Sequence, residues 1–210
     1  MTIVRLYHFP LSSASYRVRI ALNLKGIGAE MLSLRLRAGE QRSPEYAAIN
    51  PQCMVPALML DDGEALTQSL AIIEYLDETW PEPPLLPREP VARAWVRATA
   101  LAIACDIHPL NNLRVLRYLE TELGQDEARV QAWYEHWVAE GFAALERRLA
   151  EPPRSGPFCC GERPGLADLC LVPQVYNARR YKVPLDAYPR IRAIDEACGE
   201  LDAFRRARPE

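Results

Sequence analysis

Five prolines crowd into ten residues, Pro81, Pro83, Pro84, Pro87 and Pro90. Each lacks the N–H that a helix or a strand ladder needs, so no regular element crosses this stretch. It reads as a linker between two segments whose hydrophobic periods differ. We place a first domain at 1–83, a linker at 84–89 and a second domain at 90–210. A chain of 210 residues can supply two small domains with a core each.

Before the linker, strand and helix signals alternate. Ile3 to Tyr7 is a short strand, Ser15 to Lys25 a helix that stops at Gly26, and Glu30 to Leu36 alternates as a half-buried strand. Strand, helix and strand in that order predict a parallel pair. Beyond a loop containing proline and asparagine, Val55 to Leu60 and Ala65-Leu66 flank Asp61-Asp62-Gly63, which predicts a hairpin. Ser69 to Asp77 closes the domain as a helix. After the linker strand signals nearly vanish, and Val91 to Leu119, Asp126 to Leu149, Ala167 to Arg180 and Ile191 to Arg206 carry helical spacing. The expectation is an α/β domain followed by an all-α domain.

The formal net charge of -3 gives no general footprint for nucleic acid, so any affinity for an anion must come from locally placed Arg or Lys. No stretch approaches the roughly 18 apolar residues of a membrane span, and the chain starts on a strand rather than a signal peptide, so the cytoplasm is expected. The six cysteines show no C-x-x-C and no paired metal-ligand spacing, and read as buried thiols in a reducing compartment, with no metal expected. Cys159 and Cys160 are adjacent in a loop whose nearest positive residues are Arg154 and Arg163, a poor setting for an activated thiol.

Three hydroxyls, Ser12, Ser13 and Ser15, gather where a helix opens after the first strand. Helix capping alone accounts for one or two of them, because a serine oxygen accepts a backbone N–H. The same helix N-terminus also favours a bound anion, and a hydroxyl donating to sulphur shifts a thiol toward its ionised form. The segment has no cysteine, so that thiol must be brought in. Val55-Pro56 opens an apolar strand; a cis bond here would present the Val55 backbone to an extended ligand, and an ordinary trans proline at a sheet edge fits the sequence equally. Gln68 and Ser69 precede a further amphipathic helix, as caps or as a receiver for a ligand carboxylate.

The segments Ser12 to Leu22, Val55 to Leu58 and Gln68 to Leu76 resemble the zeta-class glutathione transferases. The similarity continues through Asp106 to Leu116 and Leu171 to Tyr181, nearly the whole chain. It implies the glutathione transferase fold: a thioredoxin-like, glutathione-binding domain, then a helical domain that completes the substrate site, assembled as a homodimer. It further implies that Ser12 activates the glutathione thiol with Ser13 beside it, that Val55 pairs with the glutathione backbone, and that Gln68 and Ser69 hold its γ-glutamyl end. Gln41, His108 and Asn112 are implied as further contacts. Two positions depart from the pattern: Ala14, where members often carry Cys, and Gly165, where the wider superfamily usually shows Ser or Thr as a helix cap. His8 and His136 have no supporting context and read as structural or surface residues.

The activity implied is cis–trans isomerisation of a maleyl keto acid, maleylpyruvate or maleylacetoacetate, to its fumaryl isomer in aromatic-compound or tyrosine catabolism. A thiolate that adds reversibly to the cis double bond turns it into a single bond that rotates, and glutathione emerges unchanged as a cofactor. A dianionic substrate calls for arginine, whose fork binds carboxylates bidentately, and the candidates are Arg17, Arg114 and Arg180. Two other readings share these residues: a general zeta-type transferase that conjugates or dehalogenates small electrophiles, and a non-catalytic glutathione-fold binding module. Activity with neutral electrophiles marks the first; loss of the Ser12 and Gln68-Ser69 constellation would mark the second.

Overall fold

The structure, a computed structural model, describes residues 4–150 and 156–209, so Ile3 of the expected first strand and Arg154 lie outside the described residues. It divides into two compact units, Met1–Leu85 together with Leu201–Glu210, and Leu86–Glu200.

The first unit runs β1 (Val4–His8), α1 (Ser13–Lys25), β2 (Ala29–Ser33), α2 (Pro44–Ile49), β3 (Ala57–Met59), β4 (Ala65–Thr67) and α3 (Ser69–Thr79). The sheet order is β2-β1-β3-β4. β1 and β2 are parallel, with Val4 opposite Ala29, and β3 is antiparallel to both β1 and β4. The expected strand-helix-strand unit and hairpin are therefore both present. Along β1, Val4 and Leu6 point into the core while Arg5 between them is exposed, the period-two pattern of a strand with one buried face. Gly26 caps α1 in the left-handed region at φ 64, where a side chain would be strained. The buried Lys25 beside it donates to Asp77 Oδ1, Trp80 O and Pro83 O, each at 2.6 Å, and so ties the end of α1 to the end of α3 and the start of the proline stretch.

β2 ends at Ser33, short of the expected Leu36, because the chain turns into two 3-10 segments over Leu36–Ala38 and Glu40–Arg42. The expected alternation holds along this segment: Met31, Ser33 and Arg35 are exposed, while Leu32, Leu34 and Leu36 are half-buried. The loop expected before β3 contains α2, capped by the Ser43 hydroxyl with Pro44 at its first position.

The second unit holds α4 (Pro90–Leu101), a π-helical segment (Ala102–Ile107), a 3-10 turn (Pro109–Asn111), α5 (Leu113–Thr121), α6 (Glu127–Ala150), α7 (Leu166–Arg180) and α8 (Pro189–Gly199). The single helix expected over Val91 to Leu119 is thus broken at His108-Pro109, where proline ends the backbone ladder. α7 is buried over most of its surface, as befits a helix apolar on every side. The expected helix over Ile191 to Arg206 is also broken, giving α8 and then α9 (Asp202–Ala207). Where the sequence reading continued the helical domain to 210, α9 packs with the first unit: Arg19 Nε donates to Ala207 O at 3.0 Å and Asn23 Nδ2 to Ala203 O at 2.9 Å.

Candidate functional site

The loop from β1 to α1 places Ser12 at the helix entrance in extended conformation, where its Oγ accepts the N–H of Ser15 at 3.2 Å. A serine oxygen that accepts this bond keeps its own proton to donate. The capping and functional readings of Ser12 are therefore compatible: the cap fixes the oxygen, and the O–H points a donor at whatever binds. Ser12 is half-buried, whereas Ser13 and Ser15 are buried. The dipole of the thirteen-residue α1 adds positive potential at the same place.

Arg19 holds this loop from below. It donates to Pro10 O at 2.9 Å, and its Nη1 lies 3.4 Å from Nδ1 of His8, which accepts in its neutral form. Burial, with the Arg19 charge beside it, pushes His8 down to about 4, so the ring is neutral around pH 7.

A second part of the site lies on the loop before β3. Asn50 Nδ2 at 2.7 Å and Tyr46 Oη at 2.6 Å both donate to the carbonyl of Met54. Two donors on one carbonyl pin the chain just before Val55, whose backbone has no hydrogen-bond partner among the described residues. The Val55-Pro56 bond is cis. A backbone edge left unpaired in this way can receive an extended peptide.

The third part is the entrance of α3. Gln68 sits at φ 67 and ψ 114, a conformation that costs a non-glycine residue free energy, and its Nε2 donates to Gln52 Oε1 at 2.8 Å. No side chain caps α3. Ser69, at its first position, accepts from Arg17 Nη1 at 3.3 Å. Arg17 is only 1% exposed, and its Nε and Nη2 have no partner. Gln41, in the 3-10 turn after β2, is also buried, with Oε1 unpartnered. The first unit thus brings Arg17 and Ser69 together directly, and links the Val55 loop to α3 through Gln52 and Gln68.

His108, Asn112, Arg114 and Arg180 belong to the second unit. His108 follows the π-helical segment, and Asn112 caps α5 by accepting the Arg114 N–H at 3.1 Å. The Arg114 and Arg180 side chains are exposed and form no ion pair with a described residue, whereas neighbouring Arg179 is bound to Asp195. Arg180 lies over the Tyr181 ring, 5.5 Å from its centroid, and Tyr181 stacks on Tyr134 at 3.8 Å. The carbonyl of Tyr134 accepts from Asn111, so one buried tyrosine links the turn before Asn112 to the end of α7 that carries Arg180.

The family model described as glutathione S-transferase, N-terminal domain, matches residues 6–84, and that of the C-terminal domain matches 127–194. A maleylpyruvate isomerase from Ralstonia sp. is 51% identical over 207 residues, 98% of this chain and 97% of that one. The holo structure of maleylpyruvate isomerase, described as a bacterial glutathione S-transferase of the zeta class, superposes with TM-score 0.95 at 50% identity, covering 98% of this chain and 96% of that one. This chain belongs to the zeta-class glutathione transferases. A second neighbour, the maleylacetoacetate isomerase of Methylobacterium extorquens AM1 with bound malonate and glutathione, matches with TM-score 0.95 at 44% identity, covering 98% of this chain and 96% of that one.

Within this zeta-class chain, the Gly165 departure has a structural answer. Glycine offers no capping side chain, but Asp168 one turn later accepts the N–H of Gly165 and that of Cys159, each at 2.8 Å. One half of a capping box survives, reinforced by a long-range bond. Burial in this pocket pushes the Cys159 and Cys198 thiols up, which fits unreactive core cysteines, but the expectation of buried thiols fails for Cys105, which is exposed, and for Cys53 and Cys160, which are half-buried. Sequence reasoning missed the loop support from His8 and Arg19, and the Tyr46 and Asn50 anchors. The available signal was two arginines, Arg17 and Arg19, inside the otherwise apolar run of α1.

Proposed function

We propose that this zeta-class enzyme isomerises a maleyl keto acid, maleylpyruvate or maleylacetoacetate, to its fumaryl isomer with glutathione as cofactor, in the catabolism of aromatic compounds or tyrosine. The observation that carries the reading is the Ser12 hydroxyl at the mouth of α1, held by Ser15 N–H with its own proton uncommitted. Glutathione fits the donors and acceptors that the first unit leaves open. Val55 offers a free backbone edge, Gln41 a buried acceptor without a partner, and Gln68 and Ser69 the uncapped entrance of a helix. When bound, glutathione supplies a thiolate that adds reversibly to the maleyl double bond and frees it to rotate.

The chain's residues do the rest. Ser12 donates to sulphur and, with the positive end of α1, favours the ionised thiol. Ser13 sits beside it in the first turn. Val55 aligns the tripeptide as an added strand, Gln68 and Ser69 receive its γ-glutamyl end, and Gln41, His108 and Asn112 complete its binding. Arg114 and Arg180 bind the substrate carboxylates and offset negative charge that develops on the substrate oxygen. No residue of the chain is needed as the nucleophile, which is consistent with Ala14 at the entrance of α1. A homodimer in the cytoplasm belongs to the same reading. Among the described residues no helix is long and apolar enough to cross a membrane.

The test is the loss of maleylpyruvate and of maleylacetoacetate absorbance with and without glutathione, for wild type and Ser12→Ala. Rapid conversion that needs glutathione and fails in the variant supports the reading. A folded, glutathione-binding protein that converts neither substrate excludes it.

A further inference from the structure

Among the described residues of the first unit, Arg17 is the one buried cation whose charge has no evident use. Its side chain is 1% exposed, it forms no ion pair with a described residue, and two of its three guanidinium nitrogens have no partner. Lys25, also buried, is by contrast satisfied by Asp77 and two carbonyls. An unpaired buried charge is costly, and an apolar side chain of similar volume would fill the space more cheaply. Such a group persists where an anion completes it.

Among the described residues, the only bond Arg17 makes runs from Nη1 to Ser69 Oγ, at the first position of the eleven-residue α3. Arginine only donates, so Ser69 must accept, and its own proton is left to point elsewhere. No described residue takes that proton. The entrance of α3 therefore presents donors of one sign: a directed hydroxyl, first-turn N–H groups that no side chain caps, and a guanidinium behind them. Because the Arg17 nitrogens are out of reach of solvent, the guanidinium acts through Ser69 rather than by touching a ligand.

We propose that Arg17 is a positioning residue for the α-carboxylate at the γ-glutamyl end of glutathione: it orients the Ser69 hydroxyl toward that carboxylate and places a positive charge behind it. The inference rests on the glutathione reading above, and it gives Arg17 a role different from the substrate contact that the sequence suggested. The resulting selectivity is for γ-glutamyl peptides that retain the free α-carboxylate.

The test is calorimetric binding of glutathione and of its analogue with γ-aminobutyrate in place of the γ-glutamyl residue, which lacks only the α-carboxylate and keeps the amine. Wild type, Arg17→Met and Arg17→Lys are compared, with folding followed by circular dichroism. A matched analogue that keeps the carboxylate but lacks the amine separates the two groups. Arg17→Met is expected to weaken binding of both carboxylate-bearing ligands about tenfold or more, and to leave the γ-aminobutyrate analogue within about twofold. Arg17→Lys, which keeps the charge but loses the fork, is expected to show a smaller loss confined to the same two ligands. Should Arg17→Met unfold, Arg17→Lys decides on the same criterion. Equal losses for all three ligands would make Arg17 merely structural and overturn the inference alone. A folded wild type that binds none of them overturns the cofactor reading as well.

Discussion

The two units hold their candidate residues in different ways. In the first, the candidate residues are held by bonds that span much of the sequence: Arg17 reaches Ser69, Arg19 joins α9 to the loop before Ser12, and two side chains pin Met54 O ahead of Val55. In the second, Arg114 and Arg180 are exposed side chains on helices, while the buried Asp168 serves the backbone N–H groups of Cys159 and Gly165. On the proposed reading, glutathione would be met by backbone and pre-set hydroxyls, and the substrate carboxylates by long, separately replaceable side chains.

The sharpest break of this comparison is Ser12→Ala. We expect isomerase kcat/KM to fall by about 10²–10³, the usual worth of a donor aimed at a reacting anion. Loss of the cap should also lower stability by about 1 kcal/mol. Ser12→Asp, which keeps a capping acceptor without a donor, should restore stability and not rate, as steady-state kinetics and chemical denaturation will show. In the other unit Asp168→Ala should cost roughly 2–4 kcal/mol of stability by stranding two buried N–H groups. The rate of the molecules that remain folded should stay within about a factor of two. A large loss of rate there would erase the distinction between the units.

Arg114→Gln and Arg180→Gln sharpen the same line. Each should weaken use of the maleyl substrate about 10- to 100-fold, the value of one charge-assisted contact. Glutathione affinity and melting temperature should barely change, as direct titration and thermal unfolding will report. The smallest effect concerns His8. Its folded-state pKa of about 4 lies below the ordinary histidine value of 6.5, so the unfolded chain binds more protons between those two values. Stability from this group is complete above about pH 6.5 and is lost as pH falls toward 4. His8→Gln should flatten that acid limb of the denaturation midpoint against pH.

What was legible in the sequence was local. Gly26 as a helix stop and Asp61-Asp62-Gly63 as a hairpin turn each act within a few residues, and the structure has both. Ser12 as a cap was legible for the same reason. α2 was missed although Ser43-Pro44 is a helix-start signal, because its six residues are too few to establish a period. The docking of α9 was illegible: Arg19 and Ala207 are 188 residues apart, and no periodicity in either segment names its partner. The burial of Arg17 was hidden likewise, since a charged residue in a helix is normally read as surface and its contact with Ser69 spans 52 residues.

The most direct measurement is a titration of the glutathione thiol while bound, followed by thiolate ultraviolet absorbance, in wild type and Ser12→Ala. A serine hydroxyl and a helix N-terminus acting on sulphur should bring the wild-type value well below the about 8.5 of an ordinary thiol, and the variant should move back toward it. Equal values in the two proteins, with glutathione bound to both, would contradict the claim that the first unit makes the thiolate through Ser12.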